Sequence, residues 1–110
     1  MKNIIEYEVY RYSQRLVECY DESGKLKLYP VRKPMQCIVL MNLTKNLSPD
    51  VFYSGSSISD IILKNISFDG IETILEGLIE YGFVTISDES GDYCLDKAYK
   101  EHYLNFLGLF

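Results

Sequence analysis

Little in this 110-residue chain is spaced for bond-making chemistry. His102 is the single histidine and stands beside Tyr103 in a stretch that reads as a terminal helix. It has no second imidazole to work with, and a surface or interface role is expected for it. The sequence contains no glycine-rich phosphate loop, no HExxH and no GxSxG. Cys19, Cys37 and Cys94 are odd in number, far apart and without a CxxC pair. That usage suits thiols in a reducing compartment better than a disulfide framework or a zinc site. Asp88, Glu89 and Asp92 bring three carboxylates together, but not at the Asp-x-Asp-x-Asp-Gly spacing of a calcium loop. The expectation is a protein that is not an enzyme and takes no metal or cofactor.

The chain does carry segregated charge. Its net charge of −5 is unevenly placed: residues 1–35 hold seven Lys or Arg against five acids, and residues 36–110 hold four against eleven. A mildly basic front, at +2, is joined to a strongly acidic back, at −7. The acids Glu72, Glu76 and Glu80 recur every four residues, and Asp88 and Glu89 follow in a turn. The cations Arg11, Arg15, Lys25, Lys27, Arg32 and Lys33 alternate with Tyr10, Tyr12, Tyr20 and Tyr29. Cations interleaved with aromatic rings are the pattern that holds single-stranded nucleic acid by charge and stacking. An ordinary solvated surface would look the same in either stretch.

The acids are positioned by the most legible part of the chain, residues 69–95. Asp69 with Glu72 three residues on predicts a capping box. Ile71, Ile74, Leu75, Leu78 and Ile79 then form one apolar stripe, with Glu72, Thr73, Glu76 and Glu80 opposite. Gly82 suits the left-handed position just past a helix end. Gly77 interrupts the helix, and a close approach by a neighbour would explain it. Residues 83–86 and 92–95 read as strands of a hairpin around Asp88-Glu89-Ser90-Gly91.

Upstream, Ile4 to Tyr12 alternates as a half-buried strand, with a helix as the alternative. Leu16–Tyr20 and Lys25–Val31 read as two strands around Asp21-Glu22-Ser23-Gly24, with Leu26 and Leu28 facing in. A helix is expected from Pro34 or Met35 to about Asn46, although Cys37–Met41 alone would also serve as a strand. Ser57 with Asp60 signals a second capping box, for a helix running to Ile66. After the hairpin, Asp96 is placed to cap a last helix whose apolar face is Tyr99, Tyr103, Phe106, Leu107 and Phe110.

The chain is thus read as one α+β domain over residues 1–110, the common domain size. It divides into a β-rich hairpin or meander arm (1–33), a core of three helices and a hairpin (34–95), and a C-terminal helix (96–110). The order helix, helix, short Ser67-Phe68-Asp69 turn, helix, hairpin resembles the winged helix-turn-helix family. The phrase LEGLIEYGFVTI, followed by a turn and YCL, resembles that family's passage from third helix to wing. The resemblance covers residues 35–95 and implies DNA binding, with the third helix in the major groove and the wing beside the backbone. It also implies a dimer formed by the appended last helix, through Tyr99, Tyr103, Phe106, Leu107 and Phe110.

The charges oppose the first implication. Phosphate neutralisation supplies most of such affinity, and residues 65–96 contain no Lys or Arg at all. The preferred reading is therefore a small regulator or adaptor that contacts a protein partner through Glu72, Glu76, Glu80, Asp88 and Glu89. The alternative is a DNA- or RNA-binding regulator, or an accessory protein of a mobile element, using the cations of residues 11–33. No apolar run approaches the ~20 residues of a membrane span, and the opening MKNIIEYEVY lacks the form of a signal peptide, so the cytoplasm is the expected compartment.

Overall fold

The computed structural model describes residues 14–108, with side chains to residue 105. It is an α+β arrangement of four α-helices and one antiparallel hairpin. The helices are α1 (Lys33–Thr44), α2 (Gly55–Leu63), α3 (Ile71–Glu80) and α4 (Tyr99–Gly108). The strands are β1 (Val84–Ile86) and β2 (Tyr93–Leu95), in register Val84–Leu95, Thr85–Cys94 and Ile86–Tyr93. The expected strand at Ile4–Tyr12 lies outside the described residues.

Helix α1 is the centre. Pro34 sits in its first turn, where the missing amide would have had no helical partner anyway. Cys37, Ile38, Val39 and Leu40 are all buried, so this apolar run is a helix covered on nearly every side rather than a strand. Buried Thr44 donates its hydroxyl to the Met41 carbonyl at 2.6 Å, which removes the cost of an unpaired polar group. The same core cluster takes Ile58 and Ile62 from α2, Ile74 and Leu78 from α3, and Phe83, Val84 and Leu95 from the hairpin segment.

Helix α2 begins earlier than its Ser57 signal implies. Ser54 is the cap, and its Oγ accepts from the Ser57 amide at 3.1 Å. Gly-Ser sequence reads as loop, but Gly55 is the first helical residue, and the Tyr93 ring lies against it. Helix α3 begins later than its Asp69 signal implies. Gly70 is the cap, with no side-chain hydrogen bond. The Phe68 ring folds over Gly70, where any Cβ would collide with it, and Asp69 is left exposed outside the helix.

The end of α3 follows its signal closely. Gly82 has φ +79°, the Phe83 amide donates to the Leu78 carbonyl at 2.9 Å, and the Gly82 amide donates to Ile79 at 3.0 Å. That pair of bonds is a Schellman motif, and it turns Phe83 into the core. A third extended position joins the hairpin: Tyr53 and Tyr93 exchange both backbone hydrogen bonds at 2.7 Å.

The described part of the arm closes the expected turn with a single antiparallel bridge, Tyr20–Leu26, and not with two full strands. Leu16–Cys19 is a 3-10 turn, and Leu16 and Cys19, three apart, share its buried side. From Lys25 to Val31 only Leu26 is paired, bridging Tyr20 on one side and Ile66 on the other. Leu28 faces out and is 56% exposed. Pro30 has no amide to extend a ladder, and the chain instead lies as a strap along α3. The Leu26 amide donates to Asn65, and the Ser67 amide donates to Leu26, just before α3. Tyr29 covers Gly77 at its middle, and Lys33 meets Tyr81 at its end.

Candidate interaction surface

The acidic residues of α3 stand on a surface held from behind. Ile74, Gly77 and Leu78 are buried on one side of the helix, and Glu72, Glu76 and Glu80 are exposed on the other. Their spacing puts one carboxylate on each successive turn. At Gly77 an added Cβ would stand 2.9 Å from Tyr29 Oη and 3.0 Å from Leu40 Cδ1, so glycine here permits contact with both the strap and α1. Tyr81 donates its hydroxyl to Gln36 Oε1 at 2.9 Å, and Gln36 Nε2 donates to the Pro30 carbonyl at 2.9 Å. Helix α3, α1 and the strap are thereby joined at a single point.

Asp88 and Glu89 are exposed at the tip of the hairpin. The Ser87 amide donates to Asp92 at 2.8 Å, and Gly91 takes φ +73° to close the turn. The same four residues, Asp-Glu-Ser-Gly, occur in the strap and are held differently there. Asp21 Oδ1 accepts from the Ser23 amide and hydroxyl and from the Lys25 amide, at 2.7–2.9 Å. Those bonds, the Ser23 hydroxyl first, hold the Asp21 carboxyl below its usual range.

The cations do not form one patch. Arg11 lies outside the described residues, while Arg15, Lys25, Lys27, Arg32 and Lys33 are exposed. Lys25 and Lys27 flank Leu26 at the start of α3, where exposed Lys64 joins them. Arg32 and Lys33 stand near the other end, about 15 Å away by the length of a ten-residue helix. Lys64 has no sequence signal that would group it with Lys25 and Lys27; only the Leu26–Ile66 bridge does so. The tyrosines of the strap are packing residues. Tyr20 accepts from Asn42 Nδ2 at 3.1 Å, and burial raises the Tyr20 and Tyr29 hydroxyls above their ordinary range. Both are half-buried against the core; Tyr10 and Tyr12 lie outside the described residues.

Two of the three cysteines are buried, and Cys94 is half-buried. Cys37 is fully buried, and desolvation pushes its thiol up to about 12. Cys19 is also buried and raised, first by desolvation and then by Glu18. His102 packs on Gly82, with Nε2 3.5 Å from Asp96 Oδ1. Asp96 also accepts from the Ala98 amide at 2.7 Å, ahead of α4. Among the described residues, no group of three His, Cys, Asp or Glu is placed to hold a metal, and no helix is long and apolar enough to cross a membrane.

Helix α4 spends part of its apolar face inside the chain. Tyr99 and Tyr103 pack against the core, and the Tyr103 ring meets Phe83 edge-on at 6.3 Å. The side chains of Phe106, Leu107 and Phe110 lie outside the described residues. A feature absent from the sequence reading is an open groove of about 500 Å³ between α1 and α4, including Ile38, Met41, Lys45, Lys100 and Leu104 in its lining. Its two walls come from segments sixty residues apart, and periodicity within one helix carries no sign of it.

Comparison with protein-family models, with curated proteins and with solved structures returns no match.

Proposed function

We propose that this chain is a small non-enzymatic regulator or adaptor with a winged-helix-like core, acting in the cytoplasm by protein contact through the exposed face of α3 and the hairpin tip. The observation that carries the reading is the outward stripe Glu72, Glu76 and Glu80 on a helix fastened from behind, together with exposed Asp88 and Glu89 at the hairpin tip, with no Lys or Arg from residue 65 to 96. The winged-helix resemblance draws support from the order α1, extended Tyr53, α2, α3, hairpin, with Tyr53 paired onto β2. A duplex laid against α3 would meet carboxylates where phosphate contact needs lysines and arginines. A homodimer using α4 belongs to this reading, through Tyr99, Tyr103, Phe106, Leu107 and Phe110. The test is the triple reversal Glu72→Lys, Glu76→Lys, Glu80→Lys. It should abolish capture of the protein partner while leaving the circular dichroism spectrum unchanged; retained capture would remove the reading.

One observation favours a second reading, nucleic-acid contact by the strap. The Leu26 bridge gathers Lys25 and Lys27 with Lys64 beside the α2–α3 link. In that reading, Arg15, Lys25, Lys27, Arg32 and Lys33 would contact phosphates, with Arg11 beyond them. Binding would then weaken steeply with salt, and Lys25→Glu with Lys27→Glu would flatten that dependence. No binding to single- or double-stranded DNA or RNA at low salt would end it.

A further inference from the structure

We propose that the α1–α4 groove is a docking site for a second copy of this chain, which meets it with the exposed stripe of α3, so that copies associate head to tail. The proposal rests on the reading of α3 as a protein-contact surface and names the partner. The groove has an apolar floor, to which Ile38, Met41 and Leu104 contribute, and Leu104 is 48% exposed. Its rim carries one lysine from each wall, Lys45 and Lys100, both exposed, and neither makes an ion pair among the described residues. Lys100 Nζ rests 5.9 Å from the Tyr99 ring centroid, a contact that leaves its charge unneutralised.

The matching surface is on the same chain. Glu76, Ile79 and Glu80 fall at i, i+3 and i+4 on α3, and Ile79 is 39% exposed along one side of the two acids. An apolar side chain bordered by two carboxylates is thus available to an apolar floor whose rim carries two ammonium groups. A helix is about 10–12 Å wide, so α3 lies across the groove and only its side chains enter. Two lysines over apolar carbon are a poor match for a phosphate backbone, which calls for a longer run of cations. The α3 stripe and the groove are different surfaces of one molecule. The contact is therefore heterologous, each copy offers one of each, and growth ends in a ring or an open chain. Charges at such a rim are screened by salt, so the assembly is a low-salt one.

Sedimentation velocity on the full chain tests this across about a hundredfold range of concentration, at roughly 30 mM and roughly 500 mM salt. The expected result is an average mass that at least doubles with concentration at low salt and loses that growth at high salt. Two variants carry the argument further, Lys45→Glu with Lys100→Glu, and Glu76→Lys with Glu80→Lys. All four positions are exposed, and circular dichroism verifies that each variant is folded. Each variant alone should associate about tenfold or more weakly, and mixing the two should restore association, because each reversed surface then meets its opposite. A wild-type monomer throughout the low-salt range, or association that neither variant alters, overturns the proposal. A foreign protein whose capture fails with Glu76→Lys and Glu80→Lys but survives Lys45→Glu and Lys100→Glu, with wild type monomeric, overturns it too, while leaving the α3 surface reading in place.

Discussion

The hydroxyl of Tyr29 lies over Gly77, close enough that a methyl group on that glycine would stand 2.9 Å from the oxygen. Leu40 of α1 closes the other side at 3.0 Å. Glycine in mid-helix costs about 1 kcal/mol relative to alanine, and here that cost lets α3 settle against the strap and α1. Gly77→Ala should therefore destabilise by up to about 2 kcal/mol in urea unfolding, the overpacking of about 1–3 kcal/mol less a helix gain of about 1 kcal/mol. Tyr29→Phe in the same background should recover part of the loss. A Gly77→Ala protein more stable than wild type would show that the approach is not tight.

Gly82 and Gly24 offer a matched comparison. Both hold positive φ, +79° and +87°, but a Cβ on Gly82 would meet His102 Cδ2 at 3.1 Å, and one on Gly24 would meet nothing. Alanine at either site pays about 1–2 kcal/mol for the left-handed backbone. Gly82→Ala should cost more than Gly24→Ala, and His102→Ala should narrow the gap. Equal melting temperatures for the two alanine variants would show that α4 does not bear on Gly82.

Much of α3 and the hairpin is readable in the sequence because their signals are local. The apolar stripe, the Gly82 stop and the turn at residues 88–91 need no distant partner. The start of α3 is misread because the side chain that selects Gly70 over Asp69 as cap is Phe68, through packing that no capping rule contains. The strap is misread as two full strands because Tyr20–Leu26 is the one bridge described across its turn, while the other edge of Leu26 pairs with Ile66, forty residues on. The acidic surface was legible as charge, since Glu72, Glu76 and Glu80 repeat with the helix. The separation of the cations and the α1–α4 groove were not, because both arise only when distant segments pack.

Alkaline titration should reveal the buried tyrosines. In the folded chain the hydroxyls of Tyr81 and Tyr103, and the Cys37 thiol, are pushed up to about 12 by burial, from ordinary values of 10.0 and 9.0. Below those ordinary values the groups are neutral in both folded and unfolded chains, and their contribution is fully present. As pH rises from about 9 towards 12, the unfolded chain loses these protons first, so stability falls. Urea midpoints should be level up to about pH 9 and then decline. A midpoint unchanged at pH 11 would contradict this burial.

Thiol labelling should divide the cysteines. Cys94 is half-buried on β2, whereas Cys19 and Cys37 are buried with raised thiol pKa values. A thiol reagent at neutral pH should label Cys94 in the folded chain and the other two only on unfolding. Rapid native labelling of Cys37 would mean that α1 is not the covered centre described here.

In the proposed function the acidic face of α3 meets a protein. The most direct test is affinity capture from the native host on the immobilised full chain, with and without nuclease, comparing wild type, the Glu72→Lys, Glu76→Lys, Glu80→Lys variant, and Lys25→Glu with Lys27→Glu. The predicted result is a protein held by wild type and by the strap variant, indifferent to nuclease, and lost from the α3 variant. Capture that survives reversal of the three glutamates, or that disappears with nuclease and with the strap lysines, would contradict it.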